Sequence, residues 1–511
     1  MKGLFKSKPV LVLVALILLL SAVAVPLFSL AHSHAASPAG ATSHPTAVHQ
    51  YSPNGHGYVS PHRLSTSTTP QIKARGHGKI PVRAAPGGRK NVPGPQHVAR
   101  VAAPVSADIA NKVSFNGISD TGWYPSDSNG AAGLQNYLET VNEQFSIYSR
   151  SGTLQYSNNF NTWFGYSGSL FDPKVVWDNL GKRFIFEVDN NGSSLTLSVA
   201  QQTNGIGSYC NYNFGTLSGY FADYDQLGVD KNGIYFTANL YPNSGSVISE
   251  LFYAPRKAME ACQGFNYTFY WGLQNADGSG YSFSVVPAVE HTNPGINTEY
   301  LVNTNGPGGG NSVTLWWLQS NGSLFNFNIG TQGYSPPPAA KQKGSAGTIE
   351  TLDNRLYQAA YANGVLSFDT VGSHDWGDGN GKVGIVEWFQ INAASANLAT
   401  QGAFGTPGYW LFFPAMDVNS LGHVLFVYNA SGPTIFPSIW AVSGCLCDTI
   451  AVANGASYYG TSGTARWGDY QSAWLDPKPN KLGQMKGIWV TGQYDGATNL
   501  WATRTARLFP A

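Results

Sequence analysis

The chain has 511 residues, 59 of them glycine, with 29 Lys+Arg against 28 Asp+Glu and only 11% charged residues. That balance is uneven along the sequence: residues 1–110 hold 11 basic residues against one acid, whereas 111–511 hold 18 against 27. A net-acidic main body argues against nucleic-acid binding, and no apolar stretch after the first 30 residues approaches the length of a membrane span.

Residues 1–36 read as a signal peptide or N-terminal membrane anchor. Lys2, Lys6 and Lys8 precede an apolar run from Val10 to Leu30, and Ala31 and Ala35 offer small-residue cleavage positions. The rest of the chain is therefore expected outside the cytoplasm, secreted or held at the cell surface, with membrane contact only through this segment. Residues 37–110 are rich in Pro, Gly, Ser and His with scattered Arg and Lys. Apolar content that low does not offset ordering entropy, so a disordered basic linker is expected.

Residues 111–511 repeat one pattern: a short apolar strand, a polar turn, then a strand rich in aromatic and β-branched residues. The copies are NYLETVN from Asn136, VVWDNLGKRFIFEV from Val175, LGVDKNGIYFTAN from Leu227, AVEHTNPGINTEYLVN from Ala288, TIETLDNRLYQAAY from Thr348, AMDVNSLGHVLFVYN from Ala415 and SAWLDPKPNKLGQMKGIWVTGQY from Ser472, the first without a leading strand. Their second strands are marked by Tyr137, Phe184, Tyr235, Tyr300, Tyr357, Phe426 and Trp489, a mean step of about 59 residues. No segment shows sustained helical periodicity. The expected fold is all-β, a seven-bladed β-propeller at 111–511, with Val113–Ile118 pairing near Leu500–Leu508 to close the ring. A pair of β-sandwiches is the alternative.

Four cysteines, Cys210, Cys262, Cys445 and Cys447, fall in this body, and an even number outside the cytoplasm suggests disulfides. A Cys210–Cys262 bridge would join adjacent units. Cys445-Leu-Cys447 is either a tight bridge or half of a metal site.

Several units enter their first strand behind an acid: Asp127, Asp172, Asp225 and Asp469. Equivalent positions of a closed ring share a radius, so these carboxylates are expected on one face, near the axis, where they could hold a hard cation or sugar hydroxyls. Their simpler use is to cap their own turns. Arg466-Trp467-Gly468-Asp469-Tyr470 adds a guanidinium and two aromatic faces, a set that can orient a saccharide. Asp378, Asn380 and Glu387 match the third, fifth and twelfth positions of an EF-hand loop, although Trp376 stands where the first ligand belongs. Ca²⁺ is thus the one candidate cofactor, and none is required.

The stretch YPSDSNGAAGLQNYLETVNEQFSIYSRSG from Tyr124 resembles the opening of a group of secreted bacterial propeller proteins, and FDPKVVWDNLGKRFIF from Phe171 and RWGDYQSAWLDP from Arg466 resemble its later blades. The resemblance implies a seven-bladed propeller of the broad sialidase-like superfamily. The group has no established activity, so no catalytic residue carries over, and the Ser-x-Asp-x-Gly-x-Thr-Trp turns of true sialidases are absent. The expected function is a monomeric, non-catalytic extracellular module that binds carbohydrate, cell-wall polymer or protein. The alternative is a carbohydrate-active hydrolase or lyase using paired acids at the propeller mouth.

Overall fold

The computed structural model describes residues 45–510 apart from 66–77, 81–82, 84, 91, 105–112 and 292–296. The expected targeting segment lies outside the described residues. Among those described, helix is confined to Phe160–Phe164, Arg256–Glu260 and a 3₁₀ turn at Ala393–Ser395, and the fold is all-β. No described helix is long and apolar enough to cross a membrane.

The strands assemble as consecutive antiparallel sets of four. The first runs Asn129–Ala132, Asn136–Val141, Gln144–Ser149 and Leu154–Asn159. Further sets start from the inner strands Leu170–Asp178, Tyr220–Val229, Val286–Pro287, Ala359–Ala362 and Trp410–Val418. The final set joins Ser472–Leu475, Ile488–Ala497 and Leu500–Leu508 to Val113–Ser119 from the other end of the body, with Ala506 opposite Ser114 and Arg507 opposite Val113. That pairing fulfils the closure expected from sequence and leaves no open edge where the chain starts and stops. Aromatic side chains fill the space between neighbouring sheets. Between the first two, Phe145 lies 5.1 Å from Phe186 and Trp163 lies 5.2 Å edge-on to Tyr209, all buried.

Two details of the repeat differ from its sequence reading. The first copy does have a leading strand, Asn129–Ala132, whose Asn-Gly-Ala-Ala composition carries no β signal. In the fifth copy Tyr357 precedes the inner strand, and the second strand is Val365–Asp375 with Phe368.

Inner strands enter through a shared kink. Register slips between Phe171 and Lys174, Asp223 and Gln226, and Phe412 and Ala415. A left-handed residue sits at each slip: Asp172 at φ 51°, Tyr224 at 59° and Phe413 at 46°, with Asp127, Ser284 and Leu352 in the same conformation at other entries. Such backbone costs about 1–3 kcal/mol per non-glycine residue, and cross-sheet bonds hold it. Asn142 Oδ1 accepts the Asp172 N–H at 2.8 Å, and Asn239 Oδ1 accepts that of Ser284 at 2.6 Å.

Among the described residues of 37–110, expected to be a disordered linker, five short strands occur. His49–Tyr51 adds to Leu324–Tyr334, Gly55–Val59 to Phe265–Trp271, His62–Ser65 to Ser208–Gly215, and Ala99–Arg100 to Asn397–Gly405. Gly78–Lys79 pairs with Trp123–Tyr124. An outer strand offers a row of unpaired N–H and C=O groups, and an added strand satisfies them through its backbone. The arm orders without an apolar core of its own, which is why composition misled.

Cys210 and Cys262 are disulfide-bonded as expected, with Cα atoms 5.6 Å apart, and Cys445 and Cys447 form a second bridge.

Candidate functional site

Asp127, Asp172 and Asp469 lie at the entries to three different sheets and meet. Their facing carboxylate oxygens all lie within 4.8 Å of one another, and all three residues are buried. Asp127 Oδ1 accepts the Asp469 N–H at 2.7 Å and its Oδ2 accepts Asn142 Nδ2 at 2.6 Å; Asp172 Oδ2 accepts the Tyr224 N–H at 2.8 Å. Asp127 and Asp172 both take the left-handed conformation at their entries, and Asp172 sits at a register slip. Asp127 and Asp172 bond backbone N–H groups of other entries rather than capping their own turns, and with Asp469 they cluster.

Two buried cations accompany them. Arg466 Nη1 pairs with Asp469 Oδ1 at 2.5 Å and stands 3.7 Å from Glu350 Oε2. Lys174, two residues past Asp172, places its ammonium 3.1 Å from the ring centre of Tyr470, which itself lies 4.9 Å from the Tyr224 ring. Behind Tyr224, the buried Arg355 stacks at 4.4 Å and is anchored to Asp353 at 2.8 Å.

Burial and like charge tune this set. Asp127 is pushed well above the ordinary carboxylate range, first by burial and then by the charges of Asp469 and Asp172. Asp172 is raised to about 6 by burial and Asp469. Burial lowers Lys174 to about 7 against the pull of Asp225, Asp172, Asp127 and Asp469.

Asp225 does not join the three. The left-handed position equivalent to Asp172 is occupied by Tyr224, so Asp225 is one residue out of phase. It is fully buried, neither oxygen accepts a hydrogen bond, and burial together with Glu187 raises its carboxyl strongly. Trp467 and Tyr470 offer no exposed stacking face. The first donates Nε1 to Asn429 Oδ1 at 3.0 Å and packs edge-on against Tyr459, and the second is buried under Lys174.

The calcium-loop expectation fails on geometry. Asp378 and Asn380 lie in the turn of a hairpin whose strands are Val365–Asp375 and Lys382–Asn392, with Asp378 Oδ1 accepting the Asn380 N–H at 3.0 Å. Glu387 is five residues along the second strand, opposite Thr370, buried and bonded to Gln332. A strand rises about 3.3 Å per residue, so it carries the twelfth position away from the turn where a helix would have returned it.

Lys174, Asn142, Tyr224 and Arg355 were not singled out from sequence. The available signal was a charged residue inside an apolar run: Lys174 in FDPKVVW and Arg355 in TLDNRLY. A buried strand holds such a residue only when it is paired.

Arm residues lie on the same face. Gly78 and Lys79 pair beside Tyr124, and the Arg83 guanidinium sits 3.7 Å from the ring centre of Phe221 and 5.5 Å from that of Tyr241, where Asp189 and Asp223 feel its charge.

No family model and no curated protein matches this sequence. Among solved structures the chain is similar to an α-L-arabinofuranosidase from Lactobacillus brevis at 13% identity and TM-score 0.32, covering 52% of this chain and 84% of that one. A thermostable family-43 glycoside hydrolase gives 10% and 0.27, over 67% and 90% of the two chains. The sialidase of Trypanosoma rangeli with the inhibitor DANA gives 9% and 0.30, over 75% and 58%. The expectation of a non-catalytic binding module gains no support from this comparison, whose structures are named as an arabinofuranosidase, a glycoside hydrolase and a sialidase.

Proposed function

We propose that the chain is an extracellular hydrolase of glycosidic bonds, built as a closed ring of seven blades, and that Asp172 and Asp469 carry the reaction. The observation that supports it most is the meeting of three buried carboxyls at the entries to three sheets beside Arg466 and Lys174. Burying several ionisable groups without need costs several kcal/mol each, and strongly shifted groups gather where chemistry is done.

A carboxyl raised to about 6 keeps its proton in mildly acidic solution, where an ordinary aspartate has lost it, and this suits Asp172 to the general acid. Asp469, ion-paired to Arg466, takes the nucleophile's place, and Asp127 positions it through the Asp469 N–H. Facing oxygens within 4.8 Å are closer to the roughly 5 Å spacing of retaining enzymes than to the 6.5–9.5 Å of inverting ones. Asp172 would protonate the leaving oxygen while Asp469 attacks the anomeric carbon and forms a glycosyl ester. Water, giving its proton to Asp172, would then cleave that ester and restore both carboxyls.

The test is a panel of 4-nitrophenyl glycosides, arabinofuranoside included, with a 4-methylumbelliferyl sialoside. Release by the wild type and its loss in Asp172→Asn and Asp469→Asn supports the reading. Absence of release from every substrate between pH 4 and 8 overturns it.

A further inference from the structure

Away from the acids, the docked arm and the outer strands of two neighbouring sheets enclose an open groove of about 1120 Å³. One wall is arm residues 92–100. The other is formed from Thr331–Gly333, Gln401–Ala403, His374, Trp376 and Trp388, with Leu446 of the Cys445–Cys447 loop at the rim.

Two indoles shape its floor, and both are part-exposed. Trp388 lies across Gly402, where a Cβ would meet its ring atoms at 2.7 Å, so the glycine is what lets the indole cover the strand. Trp376 has the His374 ring 4.5 Å away at its edge and the Arg100 guanidinium 5.3 Å from its centre. Gln401 Oε1 accepts the Gln332 N–H at 2.8 Å, which turns its amide nitrogen toward other partners.

Arg100 brings a guanidinium to the lining, with the imidazoles of His97 and His374, and no carboxylate is among the described lining residues. Asp375 beside His374 is engaged in its own turn by the Gly377 N–H at 2.9 Å, and Glu387 behind the floor is buried and bonded to Gln332. Flat aromatic faces with amide and imidazole groups at their edges match a pyranose ring and its hydroxyls, and a guanidinium matches a sugar carboxylate bidentately. We infer that this groove is a binding subsite for an acidic saccharide of the uronate type, separate from the Asp127–Asp172–Asp469 cluster. Trp376 and Trp388 stack the sugar and Arg100 takes its carboxylate.

The experiment is titration calorimetry of the full chain with trigalacturonate and, as a neutral counterpart, maltotriose. Expected are binding of trigalacturonate by the wild type and by Asp172→Asn alike, at least tenfold weakening in Trp376→Ala and in Arg100→Ala, and weaker binding of maltotriose. Thermal unfolding checks that Trp376→Ala folds; exposed Arg100 is a substitution site that folding does not depend on, and it tests the site by itself. No binding by the wild type, equal binding of the two sugars, binding unchanged in Arg100→Ala, or binding lost in Asp172→Asn overturns the inference.

Discussion

Asp172 and Lys174 stand two residues apart on one inner strand, and burial moves both toward neutrality, to about 6 and about 7. For Asp172 the folded carboxyl keeps its proton longer than the unfolded one, so stability falls as pH rises from about 4 to about 6, by on the order of 3 kcal/mol for a shift of about two units. Chemical denaturation across that window should show this slope, and Asp172→Asn should flatten it. Catalysis needs the same proton. kcat/KM should therefore decline above a pH of about 6, and Asp172→Asn should lose roughly 10²–10⁴-fold. Calorimetry with Ca²⁺ should give no heat, because Lys174 and Arg466 already supply positive charge to the cluster. Heat that disappears in Asp172→Asn would instead make the acids a cation site. The acids were legible in the sequence because they recur ahead of the same strand. The phase error at Asp225 was not, since Phe-Asp-Pro carries its acid at the left-handed position and Asp-Tyr-Asp carries its acids on either side of it, and only the backbone shows which residue that is.

At the scale of elements, the arm is the part that sequence misread. Its strands contribute backbone pairing rather than apolar surface, a kind of order that composition does not report. Hydrogen exchange should protect the amides of Gly55–Val59 that bond to Phe265–Trp271, whereas a free tether would exchange them at once. The Arg83 guanidinium packs against Phe221 and Tyr241. If the arm gates entry, Arg83→Ala should raise kcat/KM severalfold with little change in the pH profile; an unchanged rate would place the entrance elsewhere. The Cys210–Cys262 bridge spans 52 residues between neighbouring sheets. Its removal should cost about 4 kcal/mol in the chain-entropy model, read as a fall in denaturation midpoint.

For the whole molecule, the strand pattern disclosed an all-β repeat and the pairing of its ends, because both follow from alternation, turn residues and the need to cover edges. Function was less legible, since the three acids are far apart in the chain and become neighbours only through the stacking of sheets that closure completes. The central claim is that these carboxyls act as one unit, and the direct measurement is hydrolysis by Asp172→Asn, Asp469→Asn and the double variant on whichever glycoside the wild type cleaves. Residues of one catalytic unit are non-additive, so the double variant should be no slower than the worse single variant, with unfolding midpoints preserved. Losses that add, or single variants that retain wild-type rates, would contradict the assignment.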